Sequence, residues 1–188
     1  MKNRLIIFDC FGVVFREIAP RFFNNHFEPE TAAILKEKYF VPADLGTVTS
    51  EELFRNMADE LGIPEKDIRE EWDSLISLNE DIIPMIKELG KTADVILLSN
   101  ALTGFVERLF EEYNLNPLFD KVFISSVIKL AKPDPEIYRY CVKQMNKEYD
   151  EIYMIDDNLS NLAPLEQLGI TPVHFISTES IAFLLDKE

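Results

Sequence analysis

Five short apolar runs punctuate the chain: Leu5–Phe8, Val95–Leu98, Val122–Ile124, Ile152–Ile155 and Pro172–Ile176. They are mostly not alternating, as expected of strands buried on both faces. Between the last four lie segments with apolar residues at helical spacing, Leu102–Tyr113, Pro135–Met145 and Leu159–Leu168, and residues 178–186 predict a closing helix. One strand followed by a βαβαβαβα series predicts an α/β fold with a parallel five-stranded sheet covered by helices on both faces.

The stretch 17–79 reads differently, because it holds no convincing strand. Thr49 and Glu52 form a capping-box pattern, in which each side chain satisfies a free backbone N–H at a helix start. Leu53, Phe54, Met57, Ala58 and Leu61 follow at helical spacing, and Gly62 ends the helix. Pro64 opens a second helix carrying Ile68, Trp72 and Leu75, while Ala32, Ile34, Leu35 and Tyr39 suggest another. The pattern predicts a small all-helical insertion at 17–79 closing over the sheet, with 1–16 and 80–188 forming the α/β domain.

Composition narrows the partners. The 188 residues carry 34 acidic and 19 basic side chains, a formal net charge of −15. Nucleic acid and anionic membrane both need a basic footprint, which this chain lacks. A small anionic substrate stays possible, since a metal ion and one lysine can reverse the field locally. Lys2 and Arg4 ahead of an apolar run mimic a signal peptide, but Asp9 interrupts the run and no small-residue cleavage site follows. Two cysteines, Cys10 and Cys141, suggest neither a zinc site nor a disulfide framework. A cytoplasmic protein, monomeric or weakly dimeric, is the expectation.

Polar residues sit directly at the strand ends: Asp9 after the first run, Ser99-Asn100 after the second and Asp156-Asp157 after the fourth. In a parallel sheet the carboxyl ends of adjacent strands share one crevice, where ligands bind. The first strand is therefore expected at the sheet centre, beside the second and fourth. Crowded carboxylates repel unless a cation lies between them, which points to a hard, oxygen-ligated ion such as Mg²⁺. Lys132, in Lys132-Pro133-Asp134-Pro135 just ahead of a helix, is a further polar candidate.

These segments resemble, in order, the four motifs of the haloacid dehalogenase (HAD) superfamily of hydrolases, in its phosphatase-like branch: Phe8-Asp9-Cys10-Phe11-Gly12-Val13-Val14, Leu97-Leu98-Ser99-Asn100, Ser125-Ser126 through Lys132-Pro133-Asp134-Pro135, and Ile155-Asp156-Asp157-Asn158-Leu159-Ser160-Asn161. The resemblance implies a Rossmann-like core with a helical cap and hydrolysis of a small phosphorylated metabolite, a sugar phosphate among the candidates. Asp9 would be the nucleophile that forms an aspartyl-phosphate. Mg²⁺ would be held by Asp9, the Phe11 backbone carbonyl and Asp156, with Asp157 in or beside that shell. Ser99, the Asn100 amide, and the loop at Phe11 and Gly12 would bind phosphate, with Gly12 permitting the tight turn. Lys132 would supply fixed positive charge, and Asn161 would orient the neighbourhood of Lys132 and Asp156.

One departure stands out. Phosphatases of this family usually carry Asp two residues after the nucleophile, to protonate the leaving oxygen, and this chain has Phe11 there. Losing a positioned acid costs about 10²–10⁴ in rate. Three readings remain: a phosphatase with another acid or an easy leaving group; a metal-independent 2-haloacid dehalogenase, whose branch has an aromatic residue here; or a weakly active or non-catalytic phosphate-binding protein. The acidic pair Asp156-Asp157 favours the first, since dehalogenation needs no metal. Cys10 reads as a small buried strand residue, Trp72 as core of the insertion, and His26 and His174 as structural. The Asn158-Leu159-Ser160 glycosylation match reads as accidental. Arg16 and Glu17, at the hinge into the insertion, are further candidates for substrate contact.

Overall fold

The computed structural model describes residues 3–185, so Lys2 and the last residue of the expected closing helix lie outside the described residues. Five strands, β1 (Arg4–Phe8), β2 (Asp94–Ser99), β3 (Lys121–Ile124), β4 (Glu151–Asp156) and β5 (Thr171–His174), form one parallel sheet in the order β3-β2-β1-β4-β5. β1 is central, with Phe8 level with Leu97 of β2 and Ile155 of β4.

The near-continuous apolar runs follow from this layering. Ile6 and Phe8 of β1, Val95 and Leu97 of β2, and Tyr153 and Ile155 of β4 pack in one cluster. It is completed by α5 (Ile82–Thr92) and α6 (Phe105–Glu112). Leu5 and Ile7, Ile96 and Leu98, and Met154 point to the other face, against α8 (Pro135–Gln144) and α9 (Leu159–Leu162). The central strands β1 and β2, and the end of β4 nearest the site, thus bury both of their sides, which leaves no place for polar alternation.

Three expectations need correction. The helix expected at 159–168 is broken: α9 stops at Leu162, and a single 3₁₀ turn at Glu166–Leu168 follows Pro164, whose ring cannot continue a helix. The closing segment Thr178–Leu184 winds as 3₁₀ rather than α. The sequence pattern also passed over α5 and a four-residue helix, α7 (Ser125–Ile128), at the end of β3.

Between β1 and α5 lie four helices, α1 (Ala19–His26), α2 (Pro29–Asp44), α3 (Ser50–Leu61) and α4 (Glu65–Ser74). α1 was not legible, because Pro20 and two asparagines dilute its apolar face. The capping box of α3 forms as expected, and Gly62 ends it in the left-handed conformation. These helices hold a core of their own, built on Phe22, Phe23, Met57, Ile68 and Trp72. The outgoing and returning chains run side by side: Arg16 N–H donates to Ser77 O, and Asn79 N–H to Val14 O, both at 2.9 Å. No helix among the described residues is long and apolar enough to cross a membrane.

Phe22 is fully buried and packs edge-on against Phe23, with Trp72 beside it. Phe22→Ala is expected to cost about 3–5 kcal/mol, the range for emptying an aromatic site in a packed core. Urea unfolding followed by tryptophan fluorescence checks this.

Candidate active site

The sheet order sets three carboxylates in one place. Asp9 leaves β1, Asp156 ends β4 and Asp157 follows it, and one oxygen of each lies within 4.8 Å of the others. Lys132 enters among them from the loop before α8. Its Nζ lies 2.8 Å from Asp9 Oδ1 and 2.7 Å from Asp156 Oδ2, and its side chain is almost fully buried. Asn100 fixes that loop by a reciprocal clamp: Lys132 N–H donates to Asn100 Oδ1, and Asn100 Nδ2 donates to Lys132 O, both at 2.9 Å. The Asn100 side chain therefore holds the lysine rather than standing free for an anion. Burial alone would drive the proton off Lys132, but Asp9 and Asp156 outweigh it and hold the ammonium charged.

The two β4-end acids differ in role. Asp156 is fully buried, and both its oxygens are engaged. Oδ1 accepts from the Asn158 N–H and from Asn161 Nδ2, while Oδ2 accepts from Lys132 and Asn161. Asp157 Oδ1 is buried with no hydrogen-bond partner among the described residues. Burial first, then Glu17 and Asp156, push the Asp157 carboxyl up to about 6. Asp9, Asp156 and Asp157 together could hold a cation, and of the two β4-end acids it is Asp157 that keeps an oxygen without a partner among the described residues. Gly12 explains how Asp157 fits: at φ +89°, a Cβ there would lie 2.2 Å from Asp157 Cγ, so only glycine lets the carboxylate pass.

Asp9 is 7% exposed. Its Oδ1 accepts from Cys10 N–H at 2.6 Å as well as from Lys132, which leaves Oδ2 for other work. Burial raises its carboxyl well above the usual range; Lys132 opposes this, and Asp156 and Asp157 add to it. Three acids against one lysine leave a negative excess in a dry place. An unpartnered buried oxygen and an all-oxygen donor set fit a hard divalent ion there.

A cavity of about 550 Å³ opens from this floor. Asp9, Phe11, Asn100, Lys132, Asp157 and Asn161 line it, whereas Ser99 and Asp156, also expected at the site, are fully buried, and Gly12 is not part of the lining. Ser99 Oγ is fully enclosed beside the Cys10 thiol. The walls are largely apolar: Phe11 stacks on Phe105 at 5.7 Å between ring centres, and Phe40 on Trp72 at 5.2 Å. Glu17, Lys36 and Asp44 close the far side from the helical insertion. Glu17 reaches this wall, 3.8 Å from Lys36, while Arg16 does not. His26 pairs with Glu71 away from the cavity, and His174 Nε2 donates to Asp157 O. The Cys10 thiol is fully buried, and burial raises its pKa, so it stays protonated.

Asp44 is the residue that sequence reading missed. It ends α2, its side chain makes no hydrogen bond or close ion pair with the described residues, and it lines the crevice from a distant part of the chain. No motif surrounds it; the helix pattern says only that it is near a helix end.

A family model described as haloacid dehalogenase-like hydrolase matches residues 3–169. The chain is 22% identical to the sesquiterpene phosphatase astK of Aspergillus oryzae, over 84% of this chain and 81% of that protein. It is 24% identical to the drimenol cyclase drtB of Aspergillus calidoustus, over 95% of this chain but only 35% of that longer protein. Among solved structures, the HAD family enzyme bt-2542 of Bacteroides thetaiotaomicron superposes with a TM-score of 0.81 at 22% identity, covering 98% of both chains. The same enzyme has been solved in complex with magnesium and inorganic phosphate, with a TM-score of 0.72, 22% identity and 91% and 93% of the two chains covered. At this identity the likeness shows the fold.

Burial, offset by Lys36 and Lys132 and reinforced by Glu17, pushes the Asp44 carboxyl up to about 7. The folded state thus holds this proton more tightly than the unfolded chain, and Asp44 costs stability increasingly as pH rises from about 4 to 7. Asp44→Asn is expected to raise the unfolding free energy at pH 8 by about 1–3 kcal/mol, discounted for partial exposure. The gain should shrink toward pH 4. Denaturant titrations at the two pH values check the sign.

Proposed function

The chain belongs to the haloacid dehalogenase-like hydrolases, and within that family we propose that it is a Mg²⁺-dependent phosphatase that cleaves a small phosphate monoester through a phosphorylated Asp9. The observation that carries the reading is the orphaned Asp157 Oδ1 beside Asp9, in a cluster of three acids and one lysine. A dehalogenase has no use for that excess of negative charge. The magnesium and phosphate complex of bt-2542 and the phosphatase activity in the name of astK support the same reading. In it, residues 1–16 and 80–188 form the catalytic core, and 17–79 form a cap over it.

Asp9 Oδ2 attacks phosphorus while Oδ1 stays held by Cys10 N–H and Lys132. Lys132, locked by Asp156 and the Asn100 clamp, meets the phosphoryl oxygens with a charge that need not reorganise. Asn161 donates to both oxygens of Asp156, keeping Oδ2 on Lys132. Asp9, Asp157 and the Phe11 carbonyl would hold the metal, which supplies the positive charge that lets a carboxylate meet a phosphate dianion. The aromatic walls suit an alcohol part with an apolar or flat face better than a heavily hydroxylated one, which narrows the sugar-phosphate expectation.

Phosphate release from a panel of aryl, alkyl and sugar phosphates tests this. Release is expected with Mg²⁺, to vanish in EDTA, and to fall by about 10³-fold or more in Asp9→Asn. Equal release by wild type and Asp9→Asn would remove Asp9 from the chemistry. Chloride release from 2-chloropropionate in EDTA would establish the dehalogenase instead.

A further inference from the structure

The proposed phosphatase chemistry lacks a proton for the leaving oxygen, because Phe11 occupies the loop position from which an acid would reach it. We propose that Asp44, at the end of α2 in the helical insertion, is the catalytic acid that protonates the leaving alcohol and then activates the water that releases phosphate.

Three structural observations carry this. Asp44 and Asp9 line the same cavity, Asp44 from the insertion and Asp9 from the sheet. The Asp44 side chain makes no hydrogen bond or close ion pair with the described residues, so its carboxyl is free to give and take a proton. The backbone beside it is fastened to the core. Gly46, at φ +63°, comes so close to α7 that a Cβ there would lie 2.4 Å from Ser126 O, and Lys129 Nζ donates to Gly46 O at 2.7 Å. That tie joins the end of α2 to the segment that leads from α7 to Lys132, so the acid and the phosphate-binding lysine are held by one stretch of core chain.

The charges around Asp44 suit a donor. Glu17 and Lys36 face it from the insertion and Lys132 from the core, while Lys129 is spent on Gly46. Burial and Glu17 raise the carboxyl to about 7, so it carries a proton through much of the neutral range. Two other acids line that wall: Glu17, already engaged by Lys36 at 3.8 Å, and Glu37, which is exposed.

The steps balance. Asp9 Oδ2 forms a bond to phosphorus as the bond from phosphorus to the ester oxygen breaks. The electron pair stays on that oxygen, which takes the Asp44 proton and leaves as the alcohol. Water then enters the vacated place, and Asp44 takes one of its protons as it attacks phosphorus. The bond from phosphorus to Asp9 breaks, Asp9 is restored as a carboxylate, and inorganic phosphate departs.

The inference rests on the phosphatase reading, and the experiment separates the two. Compare kcat/KM for 2-phenylethyl phosphate, whose alkoxide needs a proton to leave, with p-nitrophenyl phosphate, whose phenolate does not. In Asp44→Asn the ratio of alkyl to aryl ester is expected to fall about 10²–10⁴-fold. Asp44→Glu should recover part of it, and the decline of wild-type alkyl ester turnover above about pH 7 should disappear in Asp44→Asn. A purely structural role would lower both esters together and leave the ratio within threefold of wild type, which overturns the proposal. A collapse of the ratio in Glu17→Gln or Glu37→Gln instead of Asp44→Asn also overturns it. Wild-type protein that hydrolyses neither ester with Mg²⁺ would overturn the phosphatase reading itself, and this proposal with it.

Discussion

A single buried ammonium organises the site. Lys132 lies between Asp9 and Asp156 at 2.8 and 2.7 Å. Desolvating three such ions is costly, and the cost is repaid only where geometry and further hydrogen bonds are complete. For Asp156 they are complete: the Asn158 N–H, Asn161 and Lys132 take both its oxygens. For Asp9 they are half complete, and for Asp157 they are missing on Oδ1. The incompleteness grows outward from the sheet interior toward the cavity. That gradient separates a structural carboxylate from those left for a ligand.

The sheet order is what makes this possible. With β1 between β2 and β4, the residues that follow the three strands meet without any loop having to reach. Asp9 N–H donates to Ile155 O at 2.9 Å, carrying the ladder one step past the strand end and fixing the Asp9 backbone. The neighbouring β2 supplies Asn100, whose clamp on the Lys132 main chain brings the lysine across. The hydrophobic effect holds the sheet between its helices, and the sheet presents the charges.

The fold was legible because strands covered on both faces read as unbroken apolar runs, and because each ended in a polar residue that the core could not tolerate. Asp9, Asn100 and Asp157 could be named for the same reason, and Lys132 by its place in the Lys132-Pro133-Asp134-Pro135 segment ahead of a helix. What stayed hidden depended on distance in sequence or on direction of side chains. Nothing in Asp156-Asp157 says which one turns inward to Lys132; only the packing of Asn161 and Asn158 decides it. Trp72 reads as core and is core, yet one of its faces also lines the cavity. Asp44 lies far from every motif and comes over the crevice only through the close approach at Gly46. The break after α9 was readable in principle, since Pro164 stands in the chain, but the leucine spacing outweighed it.

Phe11 ties these threads together. A carboxylic acid at that position would have stood on the same short loop as the nucleophile, ready whether the insertion was near or far. The phenyl ring instead stacks on Phe105 and contributes to an apolar wall. One side chain therefore removes a fixed acid from the core and makes the cavity more hospitable to an apolar alcohol. In the mechanism proposed here the proton then comes from α2, and acid catalysis requires the insertion to be seated on α7. Substrate enclosure, exclusion of bulk water and proton delivery become one event. A phosphoryl group reaching Asp9 with the insertion displaced would meet the nucleophile and the lysine without the acid, so an activated ester would still be cleaved while an alkyl ester waited for closure. Selectivity for the leaving group is then a property of how the two parts of the chain meet, written in Gly46 and Lys129 as much as in the residues that touch phosphate.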